Sequence, residues 1–137
     1  MTQTRTVSTL VVGLGCRRGC QVEEIQALVE RSLKQAGIAL NTIRALASIE
    51  LKQHEPGLLQ LAQQLQLPFR VFSAQQLSVH AAQLSHRSNL SLAHTGCYGV
   101  AESAALALAE HLTGQPARLL ITRQTSAGAT FAVACCG

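Results

Sequence analysis

The chain has no tryptophan, one tyrosine and three phenylalanines among its 137 residues. It therefore lacks the aromatic platforms on which single-stranded nucleic acid stacks. Charge is scarce as well. Only 13% of residues are Asp, Glu, Lys or Arg, and the net charge of +4 is spread along the sequence rather than gathered in a polybasic run or tail. A nucleic-acid partner is not expected; a small polyanionic ligand is. No apolar stretch approaches the ~20 residues of a membrane span, and residues 1–6 are too polar to open a secretory signal, so the expectation is no membrane partner and a cytoplasmic protein. Five cysteines, at positions 16, 20, 97, 135 and 136, cannot all pair within one chain and lack both disulfide-scaffold spacing and the second half of a zinc signature. Reduced thiols and no bound metal are expected.

What is present is an aliphatic interior. With 47% hydrophobic residues, the chain has enough to build a complete core as one domain over residues 1–137, and too little length for a second. Residues 7–14 read as a buried strand. From Val22 onward, Ile25, Leu28, Val29 and Leu33 follow helical spacing, with Glu23 and Glu24 in the first turn and Gly37 placed to cap the end. Residues 40–47 read as a second strand, and Glu55-Pro56-Gly57 opens a second helix that Pro68 is expected to end. Residues 69–72 form a third strand, and Ser73 is placed to cap a brief helix over residues 74–77. Residues 79–92 fit a broken helix and an ordered loop equally. An alanine-rich helix over residues 100–112 follows, terminated by Gly114 and Pro116. Two apolar runs, residues 118–123 and 129–135, flank a Thr-Ser-Ala-Gly hairpin signal. The pattern predicts an α/β fold: three layers, α/β/α, around a mostly parallel, mixed sheet with a C-terminal antiparallel hairpin.

Ligands of open α/β sheets sit beyond the carboxyl ends of the strands, which directs attention to the loops there. The first strand delivers Gly13, Gly15, Cys16, Arg17 and Arg18 into the turn that begins the first helix. Free amides, the positive end of a helix dipole and two guanidinium forks meet at that turn, an arrangement suited to carboxylate or phosphate. The second strand delivers Glu50, Lys52 and Glu55, and the Gly96 to Gly99 turn adds another helix start with Glu102 in its first turn. A tight strand-to-helix crossing explains the same glycines without a ligand. The spacing G-x-G-x-x-x-G departs from the dinucleotide pattern, and no Gly-Lys-Ser/Thr follows as a phosphate loop requires. No Ser-His-Asp set or carboxylate pair assembles from the spacing. His94 and Cys97 are near neighbours in sequence, which alone does not make a catalytic pair. No cofactor is called for.

The segments GLGCRRGC, ASIELKQHEPGLLQLAQQL, PFRVFSAQQL, GVAESAALALA and ITRQTSAGATFAVA, in this order and covering residues 7–135, resemble the CobE family and the C-terminal domain of CbiG from cobalamin biosynthesis. The resemblance implies a three-layer α/β domain acting on the corrin-forming part of vitamin B12 synthesis. Full-length CbiG-like proteins open a lactone on a cobalt-precorrin, but only their C-terminal domain is matched, so hydrolase activity does not transfer with the likeness. The implied role is binding, stabilising or delivering a precorrin or other corrinoid, with other cobalamin-biosynthesis enzymes as partners. The alternative is lactone hydrolysis with Glu50, Glu55 or Glu102 as general base. Arg17, Arg18 and Lys52, with Arg123 where related sequences carry lysine, would meet the ligand's carboxylates, and Leu14, Leu51 and Tyr98 would offer apolar surface to the ring.

Overall fold

Strand β1 (Thr9–Cys16) alternates its faces: Val11 enters the core on one side of the sheet, Val12 and Leu14 on the other. The computed structural model of the chain describes residues 9–136, so Val7 and Ser8 of the expected first strand lie outside the described residues. Helix α1 (Val22–Ala36) buries the predicted stripe of Ile25, Leu28, Val29 and Leu33, and ends at Gly37 in the left-handed conformation. Strand β2 (Ile43–Ile49) starts three residues later than its apolar run suggests, because Leu40–Thr42 forms a 3-10 turn in which the Thr42 hydroxyl donates to the Ala39 carbonyl at 2.6 Å. Helix α2 (Pro56–Leu65) is ended by Gln66 at φ 57°, two residues before Pro68. Strand β3 (Phe69–Phe72) leads into α3 (Ala74–Ser78), which opens on a reciprocal capping box between Ser73 and Gln76. Residues 79–92 resolve as a 3-10 turn and the start of a short helix, α4 (Asn89–Thr95), capped by Ser88 and closed by Gly96.

Helix α5 (Val100–Thr113) buries every residue from Val100 to Ala109, as expected of a helix that is apolar all round. It lies across β1, β2 and β5 on one face of the sheet, with α3 beside it, while α1 and α2 cover the other face. Strands β4 (Arg118–Thr125) and β5 (Ala129–Cys136) form the terminal hairpin. The sheet order is β3-β2-β1-β5-β4; β1, β2 and β3 pair in parallel, β5 is antiparallel to β1, and β4 is antiparallel to β5. Four strands thus point the same way and only β5 runs against them.

The chain winds outward from β1 through β2 to β3 over one face, then crosses by α5 on the other face to the far edge. The carboxyl end of β1 is therefore the place where successive connections leave in opposite directions, and such a switch point opens a crevice. Pairing of β1 with β2 stops at Gly13 and Ala47, and the buried Ser48 hydroxyl takes up the Leu14 carbonyl at 2.7 Å as the strands part.

Candidate functional site

A cleft of about 810 Å³ opens at this switch point. Its floor is Gly15 and Cys16 of β1 with Val100, Ala101 and Glu102 of α5. One wall carries Arg17, Arg18, Lys52 and Glu55; the hairpin around Gly128 and the α4 segment with Ser91, His94 and Tyr98 close the others. Of the residues expected to form a site, Gly15, Cys16, Arg17, Arg18, Lys52, Glu55, Gly99, Glu102 and Arg123 all border it.

Three expected residues do not. Gly13 is a packing glycine: a Cβ there would lie 1.9 Å from the Ala101 carbonyl oxygen and 2.6 Å from the Ala105 nitrogen, so its role is to let α5 approach β1. Glu50 is exposed in the 3-10 turn after β2 and is not among the residues that line the cleft, although Ile49 and Leu51 on either side of it are. Gly96 closes α4 at φ 79° and borders a separate void of about 90 Å³ under α4. Leu14, considered for the ring wall, is wholly buried among α1 and α2 residues. Leu51 and Tyr98 do face the cleft, Leu51 with 66% of its surface exposed.

The basic turn is held open by Glu55. One oxygen of this buried carboxylate accepts the Gly19 amide at 2.9 Å, and the other pairs with Lys52 Nζ at 3.6 Å. Gly19 sits at φ 77°, a left-handed turn that leaves Arg17 and Arg18 exposed at the cleft mouth. Cys16, half-buried on the floor, has its thiol pushed up to about 12 by burial, against the opposing pull of Lys52. Burial thus favours the protonated thiol at neutral pH. Cys20 is raised too, by burial and then by Glu24. Cys97 is buried with its Sγ 3.5 Å from the Ser103 hydroxyl, whereas His94 is exposed on the cleft wall.

Glu102, 1% exposed, accepts the Ser85 amide at 2.9 Å on Oε1, and both the Ser85 hydroxyl and the Arg123 amide, the latter at 2.8 Å, on Oε2. Both cleft carboxylates are thus occupied in fixing neighbouring backbone. The sequence reading missed the cleft hydroxyls of Ser88, Ser91 and Thr130, and it missed Glu24, which ties α1 to the hairpin by accepting from Ser126 Oγ at 2.5 Å and Gly128 N at 2.6 Å. Glu24 and Ser126 are separated by 102 positions, and no local pattern announces such a pairing.

Fold and cleft together define an open, doubly wound α/β domain with a basic crevice at its switch point. Residues 10–134 match the family model described as cobalamin synthesis G C-terminus, and the chain belongs to that family; it is a protein of cobalamin biosynthesis. It is similar to Protein CobE of Sinorhizobium sp, with 40% identity over 131 residues, 96% of this chain and 82% of the relative. A crystal structure of CobE, a protein from the cobalamin (vitamin B12) biosynthetic pathway, superposes with a TM-score of 0.93 at 42% identity, covering 98% of this chain and 95% of that one. The cobalt-precorrin-5A hydrolase of Priestia megaterium is 35% identical over 97 residues, 71% of this chain but 25% of the hydrolase. The chain thus corresponds to about a quarter of that enzyme.

Proposed function

We propose that this protein binds a carboxylate-fringed intermediate of corrin synthesis in the switch-point cleft and holds or delivers it to other enzymes of the pathway. The observation that carries the reading is the cleft's charge arrangement: four cationic side chains, Arg17, Arg18, Lys52 and Arg123, border it with two carboxylates among the described residues, of which Glu102 is spent on backbone amides and the Ser85 hydroxyl, and Glu55 on the Gly19 amide and Lys52. Guanidinium and ammonium groups grip peripheral acetates and propionates, while Leu51 and Tyr98 offer apolar surface to the macrocycle. The volume lies in the upper part of the range of small-molecule sites, about 300–1,000 Å³.

A general base needs a carboxylate free to take a proton from substrate or water. Glu55 and Glu102 have their oxygens engaged, and Glu50 does not line the cleft. This favours binding over lactone hydrolysis, and purified protein incubated with a lactone-bearing precorrin is expected to show no multiple turnover. The direct test is a spectroscopic titration with hydrogenobyrinic acid. Binding at micromolar concentration is expected, and replacing both Arg17 and Arg18 by Ala should weaken it at least about tenfold, since charge-assisted bonds contribute about 1.5–3 kcal/mol each. Absence of any spectral change at tens of micromolar refutes the proposal. Arg18 is the cleaner single site, because Arg17 also packs on the hairpin, where a Cβ on Gly128 would meet Arg17 Nε at 2.8 Å.

A further inference from the structure

We infer that Glu102 is a positioning residue for Arg123, and that the Arg123 guanidinium so placed holds one peripheral carboxylate of the corrinoid. The inference rests on the binding reading above and assigns a subsite within it.

The first observation is a defect in the hairpin ladder. Ile121 pairs with Val133 and Gln124 with Phe131, so three steps on β4 match two on β5 and an extra residue is inserted between. Ile121 packs on the α1 side of the sheet. With regular alternation Arg123, two residues on, would face that same side. The bulge turns it instead toward the α5 side, where it borders the cleft with Glu102 and Thr130.

The second observation is how the bulge is held. The Arg123 amide donates to Glu102 Oε2 at 2.8 Å, and the carboxylate is locked in place by the Ser85 amide at 2.9 Å and the Ser85 hydroxyl. Glu102 therefore grips the Arg123 backbone and makes no ion pair with its side chain among the described residues. The third observation completes the subsite: Arg123 Nε is buried and has no hydrogen-bond partner among the described residues. Buried donors are nearly always paired, and the residue that carries this one borders a cleft read as taking carboxylates. A planar guanidinium presents paired N–H donors as a fork matched to a carboxylate, which a lysine cannot reproduce.

The test is a titration of the full chain with hydrogenobyrinic acid, using Arg123→Lys, Arg123→Gln, Glu102→Gln and the double variant Glu102→Gln/Arg123→Gln. Arg123→Gln is expected to weaken binding about tenfold, and Arg123→Lys to weaken it nearly as much although the charge is kept. Glu102→Gln should weaken binding severalfold alone and add nothing once Arg123 is Gln, a coupling that general destabilisation does not produce. Should Glu102→Gln fail to fold, Ser85→Ala, which loosens the same carboxylate oxygen, replaces it in the cycle with the same expectation. Arg123→Lys binding like the unaltered protein, or independent losses in the double variant, overturns the assignment while leaving the binding proposal intact. Failure of the unaltered protein to bind overturns both.

Discussion

Gly13 and Gly19 stand in one glycine-rich turn and do different work. Gly19 needs its left-handed φ of 77° to return the chain after Arg17 and Arg18, a turn role legible from the sequence. Gly13 is small because a helix some ninety positions later presses its backbone against β1, and nothing near residue 13 in the sequence announces that helix. Both arginines were legible because they sit in a turn. The orientation of Arg123 was not, because it depends on a one-residue bulge visible only in the pairing of β4 with β5. The packing role of Gly13 has a measurable consequence. Gly13→Ala forces α5 and β1 apart, since the atoms in the way are backbone and cannot swing aside. Overpacking of this kind typically costs about 1–3 kcal/mol, and here the cost should fall at the upper end. Urea denaturation is expected to show a lower midpoint with an unchanged slope; a midpoint equal to that of the unaltered protein would remove Gly13 from the α5 interface.

At the scale of elements, the helices with clear apolar spacing and caps, α1 above all, were readable from the sequence alone. The short α4 was not, because its stability is tertiary as well as local. Ser88 and Gly96 cap it, but the segment leading into it is fastened to α5 through Ser85 and Glu102. The hairpin is likewise secured from a distance. Glu24 accepts from Ser126 Oγ and Gly128 N, Arg31 donates to the Thr125 carbonyl at 3.0 Å, and the Arg17 amide donates to the Gly128 carbonyl at 2.9 Å. The two donors hold the Glu24 carboxyl below its ordinary value of 4.5, because hydrogen bonds to a carboxylate favour its ionised form. A lowered folded-state value means that the stabilisation is complete above about pH 4.5 and is lost as pH falls through the folded value. Thermal melts between about pH 6 and pH 3 should therefore show the unaltered protein losing stability more steeply than Glu24→Gln, whose remaining slope comes from other carboxylates. Parallel slopes in the two proteins would show that the clamp contributes nothing.

For the whole molecule, the alternation of strands and helices and the terminal hairpin were legible, whereas the insertion of β5 between β1 and β4 was not, since order across a sheet is a matter of long-range pairing. That insertion makes the site. It brings the hairpin tip to the carboxyl end of β1 and so gathers Arg17, Arg18, Lys52 and Arg123, drawn from three separate regions of the chain, around one cleft. In a chain with a net charge of only +4, such gathering concentrates positive potential where a polyanion enters. Exposed charges of this kind are screened over about 10 Å at 0.1 M salt and about 3 Å at 1 M. Affinity for hydrogenobyrinic acid should accordingly fall at least about fivefold between low and high sodium chloride, and Arg18→Ala should flatten the dependence because Arg18 is exposed at the mouth. The Arg123 subsite, whose Nε is buried, should be screened less, so Arg123→Gln should lower affinity at every salt concentration while leaving the slope nearly as it was. Affinity independent of salt in the unaltered protein would transfer the binding energy from the cations to the apolar walls around Leu51 and Tyr98.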